Sequence, residues 1–217
     1  MKKEEPLNIP FQKKEVEEYE QRRYRGIDQK LVHIRERGIL RKILKKIGED
    51  TLWVLDVPCG YGRFSPLLLR RGLLIVSSDL SFHMVKRAME RSECSDWRSG
   101  VVADGKLGLP FKRGVFDLLL SMRFFHHLHQ KEERKAVLAE FFRVTKGWVI
   151  LSYYQINFFH LFQRKLRRKI KKSKTRIKML SRREFEREVR EGGFKTIRIF
   201  SLFRGIHSHH IALLKKS

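Results

Sequence analysis

The spacing of apolar and polar positions changes period several times along the 217-residue chain, and each change predicts an element. Residues 12–25 are dominated by charge and predict a helix with little buried surface. Leu40, Ile43, Leu44 and Ile47 recur at i, i+3, i+4 and i+7, the pattern of a helix burying one face, and Gly48-Glu49-Asp50 ends it. The period then shortens. Leu52-Trp53-Val54-Leu55 reads as a buried strand, and Asp56 to Gly62 as a glycine-rich turn. Phe64 to Arg71 reads as a helix stopped by Gly72. A second strand over 73–79 ends on Asp79, and a helix over 81–91 carries Met84, Val85 and Ala88 on one face. Residues 100–104, 115–121 and 148–153 read as further strands, with a helix over 131–144 between the last two.

Strands that are continuous apolar runs, alternating with helices, predict an α/β fold with a doubly wound, mostly parallel sheet covered on both faces. Beyond Tyr154 a basic stretch breaks the alternation. Ser181 followed by Glu184 is a capping box that opens a last helix, and Gly192-Gly193 closes it. Residues 194–202 and 207–214 then predict an antiparallel C-terminal hairpin. The whole of 1–217 reads as one domain. Residues 1–48 form an N-terminal helical cap, 49–155 a core, 156–180 a basic amphipathic insert, and 181–217 the last helix and hairpin.

Composition bounds the function. Hydrophobic residues are 41% and aromatics 11%, enough for a real core, so charge does not make the chain disordered. Two cysteines, Cys59 and Cys94, cannot build a disulfide framework, which sets a reducing, cytoplasmic compartment as the expectation. The N-terminus lacks an apolar stretch of the signal-peptide kind. No apolar run reaches the ~20 residues of a membrane span.

The formal charge is +25, and its distribution matters more than its size. Residues 151–217 hold 19 basic and 4 acidic residues, whereas 51–150 hold 16 and 10. The surplus centres on Arg164, Lys165, Arg167, Arg168, Lys169, Lys171 and Lys172, with Phe158, Phe159 and Phe162 just upstream. A basic amphipathic segment of this kind fits an anionic membrane surface, a nucleic-acid phosphate backbone, or a lid packed on its own domain. The aromatics lead the segment and do not interleave with the charges, which weakens a single-strand stacking platform.

The chemistry sits elsewhere. Asp56-Val-Pro-Cys59-Gly60-Tyr-Gly62 lies between a strand and a helix, where glycines let the backbone approach a ligand and leave helix N–H groups free to donate. Asp79, at the end of the next strand, is placed for ribose hydroxyls. A nicotinamide-type glycine loop is disfavoured, because Ser65 stands where its third glycine belongs.

With Ser78-Asp79-Leu80-Ser81, Ala103-Asp104-Gly105, Leu109-Pro110-Phe111, Phe116-Asp117, Phe125-His126-His127-Leu128 and Gly192-Gly193-Phe194, the chain resembles the class I S-adenosylmethionine-dependent methyltransferases. The likeness is to the small type grouped with quinone-biosynthesis C-methyltransferases. It implies a Rossmann-like sheet of seven strands and S-adenosylmethionine as cofactor. It implies that Gly60 and Gly62 face the methionine part and that Asp56 orients the loop or the ammonium. Asp79 and Leu80 would hold the ribose, Asp104 and Gly105 the adenine, and Ser121 would also line the cofactor. Pro58-Cys59 departs from the small residues usual in that loop.

His126 and His127 follow the fourth strand as candidates for removing an acceptor proton, with a structural role in the loop as the alternative. Arg123 is a candidate for binding an anionic acceptor. Cys59 in the cofactor loop and Cys94 in an acidic setting are poor nucleophiles. His207, His209 and His210 have no cysteine or carboxylate beside them, so no metal site is expected. The functional expectation is a methyltransferase acting on an anionic, lipid-like or membrane-associated small molecule, peripheral on the inner membrane surface. The alternatives are an RNA methyltransferase holding phosphates with the insert, and a non-catalytic protein of the same fold.

Overall fold

The computed structural model describes residues 12–23, 26–48, 52–91, 98–156, 177–203 and 207–217. In chain order these form α1 (Lys13–Arg23), α2 (Ile27–Ile47), β1 (Trp53–Asp56), α3 (Ser65–Leu69), β2 (Leu74–Asp79), α4 (Phe82–Glu90) and β3 (Arg98–Val102). There follow β4 (Phe116–Ser121), a 3₁₀ turn at Phe125–His127, α5 (Lys131–Val144), β5 (Thr145–Tyr154), α6 (Arg182–Glu191), β6 (Phe194–Ser201) and β7 (His209–Lys216).

One seven-stranded sheet runs in the order β3-β2-β1-β4-β5-β7-β6. The first five strands pair in parallel, and β7 lies antiparallel between β5 and β6. Val54, Leu55, Leu118, Leu119 and Leu120 are fully buried, because helices cover both faces. One face packs under α5 and α6 through Val137, Leu138, Phe141, Phe185 and Val189. The other packs under α2 and α3 through Ile39, Leu40, Ile43, Leu44, Leu67 and Leu68. The strand order reverses direction between β1 and β4, and ligands in such sheets bind at the carboxyl ends beside that point.

Two expectations shift. The helix expected around Leu40–Ile47 extends back to Ile27: the apolar residues of its first turns, Ile27, Leu31 and Ile34, are exposed and do not continue the buried face that Leu40, Ile43 and Leu44 define. The third strand is Arg98–Val102 instead of 100–104: its hydrogen bonds follow β2, where Asp79 pairs with Val102. Asp104 therefore lies in the loop beyond the strand. The expected basic insert, with Arg164, Lys165, Arg167, Arg168, Lys169, Lys171 and Lys172, falls outside the described residues. Its flanks are placed: Ile156 N–H donates to Leu180 O (3.0 Å), and Lys178 N–H donates to His126 O (3.0 Å).

Among the described residues no helix is long and apolar enough to cross a membrane. Arg134 on α5 and Glu188 on α6 form a buried two-point ion pair (2.8 Å for each bond) that joins these helices.

Candidate functional site

The loop after β1 owes its course to two features. Gly60 and Gly62 have φ of 52° and 71°, which side-chain-bearing residues rarely adopt. A Cβ on Gly62 would stand 2.7 Å from the Ala88 Cα, so this glycine lets the loop press against α4. The Asp79 carboxylate ties the loop to β2. Its Oδ2 accepts from Gly60 N–H (3.0 Å) and its Oδ1 from Ser81 N–H (3.0 Å). Burial raises the Asp79 pKa, and these backbone donors oppose the rise.

A cavity of about 320 Å³ opens beside this loop. Asp56, Gly60, Arg123 and His127, four of the residues expected from sequence, line it. So do Tyr19, Tyr61, Arg63, Phe64, Met84, Met122 and Phe124. Asp56 is buried, and its Oδ2 has no hydrogen-bond partner among the described residues. Burial, with Asp79 nearby, pushes its pKa up to about 8, partly offset by Arg63. A buried carboxylate without a donor is a costly arrangement that a cationic or N–H-bearing ligand relieves. The methionine ammonium of S-adenosylmethionine is such a group, so the site fits this cofactor.

The other expected cofactor residues are not among those that line the cavity. Gly62 sits against α4. Leu80 is half-buried at the start of the β2–α4 turn. Asp104 Oδ1 accepts from Lys106 N–H (2.9 Å). Gly105 is close to the cavity: a Cβ there would lie 3.7 Å from the rings and methyls of Phe124 and Val57. Ser121 is fully buried at the end of β4, its hydroxyl unpartnered among the described residues. The Cys59 thiol is buried beside Asp56, and both effects drive its pKa well up, which keeps it neutral and unreactive.

The two expected histidines differ. His127 lines the cavity, and burial holds its pKa below the usual imidazole value, so it is neutral near pH 7. His126 is buried behind it, with ring centres 4.0 Å from His127 and 4.7 Å from Tyr154. Tyr154 in turn stacks on His209 (5.0 Å, 8° between planes). His209 is buried too, and desolvation keeps it neutral.

The feature that sequence reasoning missed is Glu36. It is the one acid among the buried residues of α2, and its side chain is fully enclosed. Glu36 Oε1 accepts from Arg123 Nε (2.9 Å) and lies 2.8 Å from Arg123 Nη2. Glu36 Oε2 lies 2.9 Å from Arg63 Nη1. Arg123 itself has φ of 60°, and its N–H donates to Ser152 Oγ (2.6 Å). One buried carboxylate thus holds two guanidinium groups at the cavity wall, leaving a net positive charge there. The signal was present: Glu36 falls four residues before Leu40 on the face that Leu40, Ile43, Leu44 and Ile47 define.

Residues 55–151 match the family described as "Methyltransferase domain". The malonyl-[acyl-carrier protein] O-methyltransferase of Hamiltonella defensa is 39% identical over 100 residues, covering 46% of this chain and 36% of that protein. The tRNA (carboxymethyluridine(34)-5-O)-methyltransferase of Arabidopsis thaliana is 29% identical over 101 residues, 46% of this chain and 23% of that protein. The aligned part is thus about a third or less of these relatives' length. Among solved structures, magnesium protoporphyrin IX methyltransferase from Synechocystis PCC 6803 with bound SAH superposes with a TM-score of 0.71 at 18% identity. That alignment covers 88% of each chain.

Proposed function

We propose that the chain, whose residues 55–151 match a methyltransferase domain, is a class I S-adenosylmethionine-dependent enzyme that methylates an anionic, lipid-like small molecule at the cavity beside Asp56. The observation that carries this reading is the pair Arg63 and Arg123 facing the cavity with Glu36 behind them. Two fixed guanidinium groups against one buried carboxylate leave N–H donors and a positive field for an acceptor's carboxylate or phosphate. Phe64, Met84, Met122 and Phe124 supply an apolar wall for the rest of the acceptor.

S-adenosylmethionine supplies an electrophilic methyl group when bound. The chain's part is to align and to exclude water. Asp56 meets the ammonium, and Gly60 and Gly62 shape the loop around the methionine part. Asp79 keeps a lone pair on each carboxylate oxygen for ribose hydroxyls, with Leu80 beside it. Asp104 and Gly105 stand by the adenine edge, and Ser121 closes the strand end. His127, neutral and at the cavity wall, accepts a proton from an acceptor that must lose one. His126 holds the His127 ring in place. The segment with Arg164, Lys165, Arg167, Arg168, Lys169, Lys171 and Lys172 meets an anionic membrane surface on the cytoplasmic side.

A second reading makes RNA the acceptor. It draws on the tRNA methyltransferase among the relatives and on the surplus of 19 basic over 4 acidic residues in 151–217. Methyl-tritiated S-adenosylmethionine incubated with the protein and cell extract separates the two. Label in the organic or small-molecule acidic fraction supports the first reading, and label in RNA overturns it. Absence of S-adenosylhomocysteine binding by calorimetry, with the fold intact, would sink the enzyme itself.

A further inference from the structure

Helix α2 has two faces, and the outer one is unusual. Its inner face buries Glu36, Ile39, Leu40, Ile43 and Leu44. At 100° per residue, Ile27, Leu31, Ile34 and Gly38 project within an arc of about 60° on the opposite side. The three aliphatic side chains are exposed by 78%, 53% and 65%. Single exposed apolar residues are ordinary, but three branched ones adjoining on two turns are not. Lys30, Arg37 and Arg41 flank the arc on one side, Lys42 flanks it on the other, and Lys45 continues it. Asp28 is the exposed acid of this 21-residue helix, since Glu36 is buried.

We propose that this outer face of α2 docks on an anionic lipid surface, with Ile27, Leu31 and Ile34 entering the interface and the basic rim meeting lipid phosphates. The proposal deepens the membrane contact proposed above and assigns it to a folded element. The pairing of charge and apolarity selects the partner. A basic rim alone would suit nucleic acid, but an aliphatic centre finds no counterpart on a phosphate backbone, whereas acyl chains match it. Each basic residue near an anionic leaflet adds to the attraction, so the rim reinforces a small apolar anchor.

The location gives docking a use. Glu36, on the inner face of the same helix, holds Arg63 and Arg123 at the cavity, and the His33 ring packs 6.1 Å from Phe64 of the cavity wall. A bilayer touching the outer face therefore lies one helix diameter, ~10 Å, from the acceptor arginines.

Co-sedimentation of the full chain with phosphatidylcholine vesicles, with and without phosphatidylglycerol, tests this. The variant Ile27→Ser, Leu31→Ser, Ile34→Ser is expected to lose roughly tenfold or more of its affinity for anionic vesicles. The variant Lys30→Gln, Arg37→Gln, Arg41→Gln, Lys45→Gln is expected to lose the preference for the anionic lipid. Circular dichroism and the thermal midpoint report whether the variants fold. Should the serine variant misfold, an environment-sensitive fluorophore on Leu31→Cys (Cys59→Ser, Cys94→Ser background) replaces it, with a blue shift expected on anionic vesicles.

Unchanged vesicle affinity in a folded serine variant overturns the proposal, as does an unshifted fluorophore. So do a wild-type chain that ignores vesicles, one that dimerises through this face in ultracentrifugation, and one that captures tRNA through it. None of these readouts needs activity. A chain that docks but never binds S-adenosylhomocysteine contradicts the function proposed above and leaves this inference standing.

Discussion

Glu36 Oε1 lies 2.8 Å from Arg123 Nη2 inside the molecule, so a residue of α2 fixes the orientation of one that follows β4. The same carboxylate reaches Arg63, which follows the glycine loop. The helical cap is thereby wired to both loops at the carboxyl ends of the central strands.

Removing that carboxylate leaves two guanidinium groups facing each other without a counter-charge. Glu36→Ala is expected to lower stability by about 3–5 kcal/mol, the range for breaking one side of a buried ion pair. Urea denaturation checks this. Arg123→Lys, which keeps the charge but loses the two-point contact with Glu36, is expected to raise the acceptor KM more than it changes cofactor affinity.

Asp56 links ligand binding to pH. Its folded pKa, about 8, lies above the value of 3.8 for a free carboxyl. The folded chain then holds a proton that the unfolded chain has lost between these values. Ligand-free stability is therefore expected to fall as pH rises from about 4 to 8 through this group. Asp56→Asn should flatten that fall in a thermal-melt series while weakening S-adenosylhomocysteine binding in calorimetry. A steeper fall in the variant would contradict the assignment.

Asp79 ties Gly60 and Ser81 and, in the proposed reading, also receives the ribose hydroxyls. Asp79→Ala should weaken S-adenosylhomocysteine binding by about 1–3 kcal/mol or more, since two backbone donors and the ligand hydroxyls lose their acceptor. Titration calorimetry reads this directly, and an unchanged affinity would refute the ribose role.

Gly62 has φ of 71° and no room for a methyl group beside the Ala88 Cα. Gly62→Ala is expected to destabilise the fold by about 1–3 kcal/mol, from backbone strain and from overpacking against α4. The midpoint of thermal or chemical unfolding measures it.

His127 is held below the ordinary imidazole pKa by burial, and nearby His129 and Lys106 add to this. If it takes a proton from the acceptor, the rate should fall only below the usual histidine range, on the acid side. His127→Asn should remove that acid limb and lower kcat, whereas His126→Asn should chiefly lower stability, because His126 is buried against Tyr154.

Local pattern made legible the loop and strand end that are proposed to hold the cofactor. Asp56, Gly60, Gly62 and Asp79 sit at the ends of short apolar runs, and a strand followed by a glycine turn and a helix admits few geometries. The buried strands were legible for the same reason: sheets covered on both faces need unbroken apolar segments. Boundaries were less legible. The start of β3 depends on its register with β2, and the start of α2 on packing that propensity does not encode.

The charged cluster proposed to meet the acceptor was decided by tertiary structure. Glu36, Arg63, Arg123 and His209 are far apart in the chain and share no period, so no window of sequence joins them. They meet because α2 packs on the sheet face beside β1 and β4, and because β7 inserts antiparallel next to β5, which puts His209 opposite Tyr154 and its Nδ1 3.5 Å from Glu36 Oε1. Burial then sets their chemistry. It makes Glu36 the shared counter-charge of two guanidinium groups, keeps His209 neutral, and leaves on the cavity wall the net positive charge that a count of lysines and arginines could not locate.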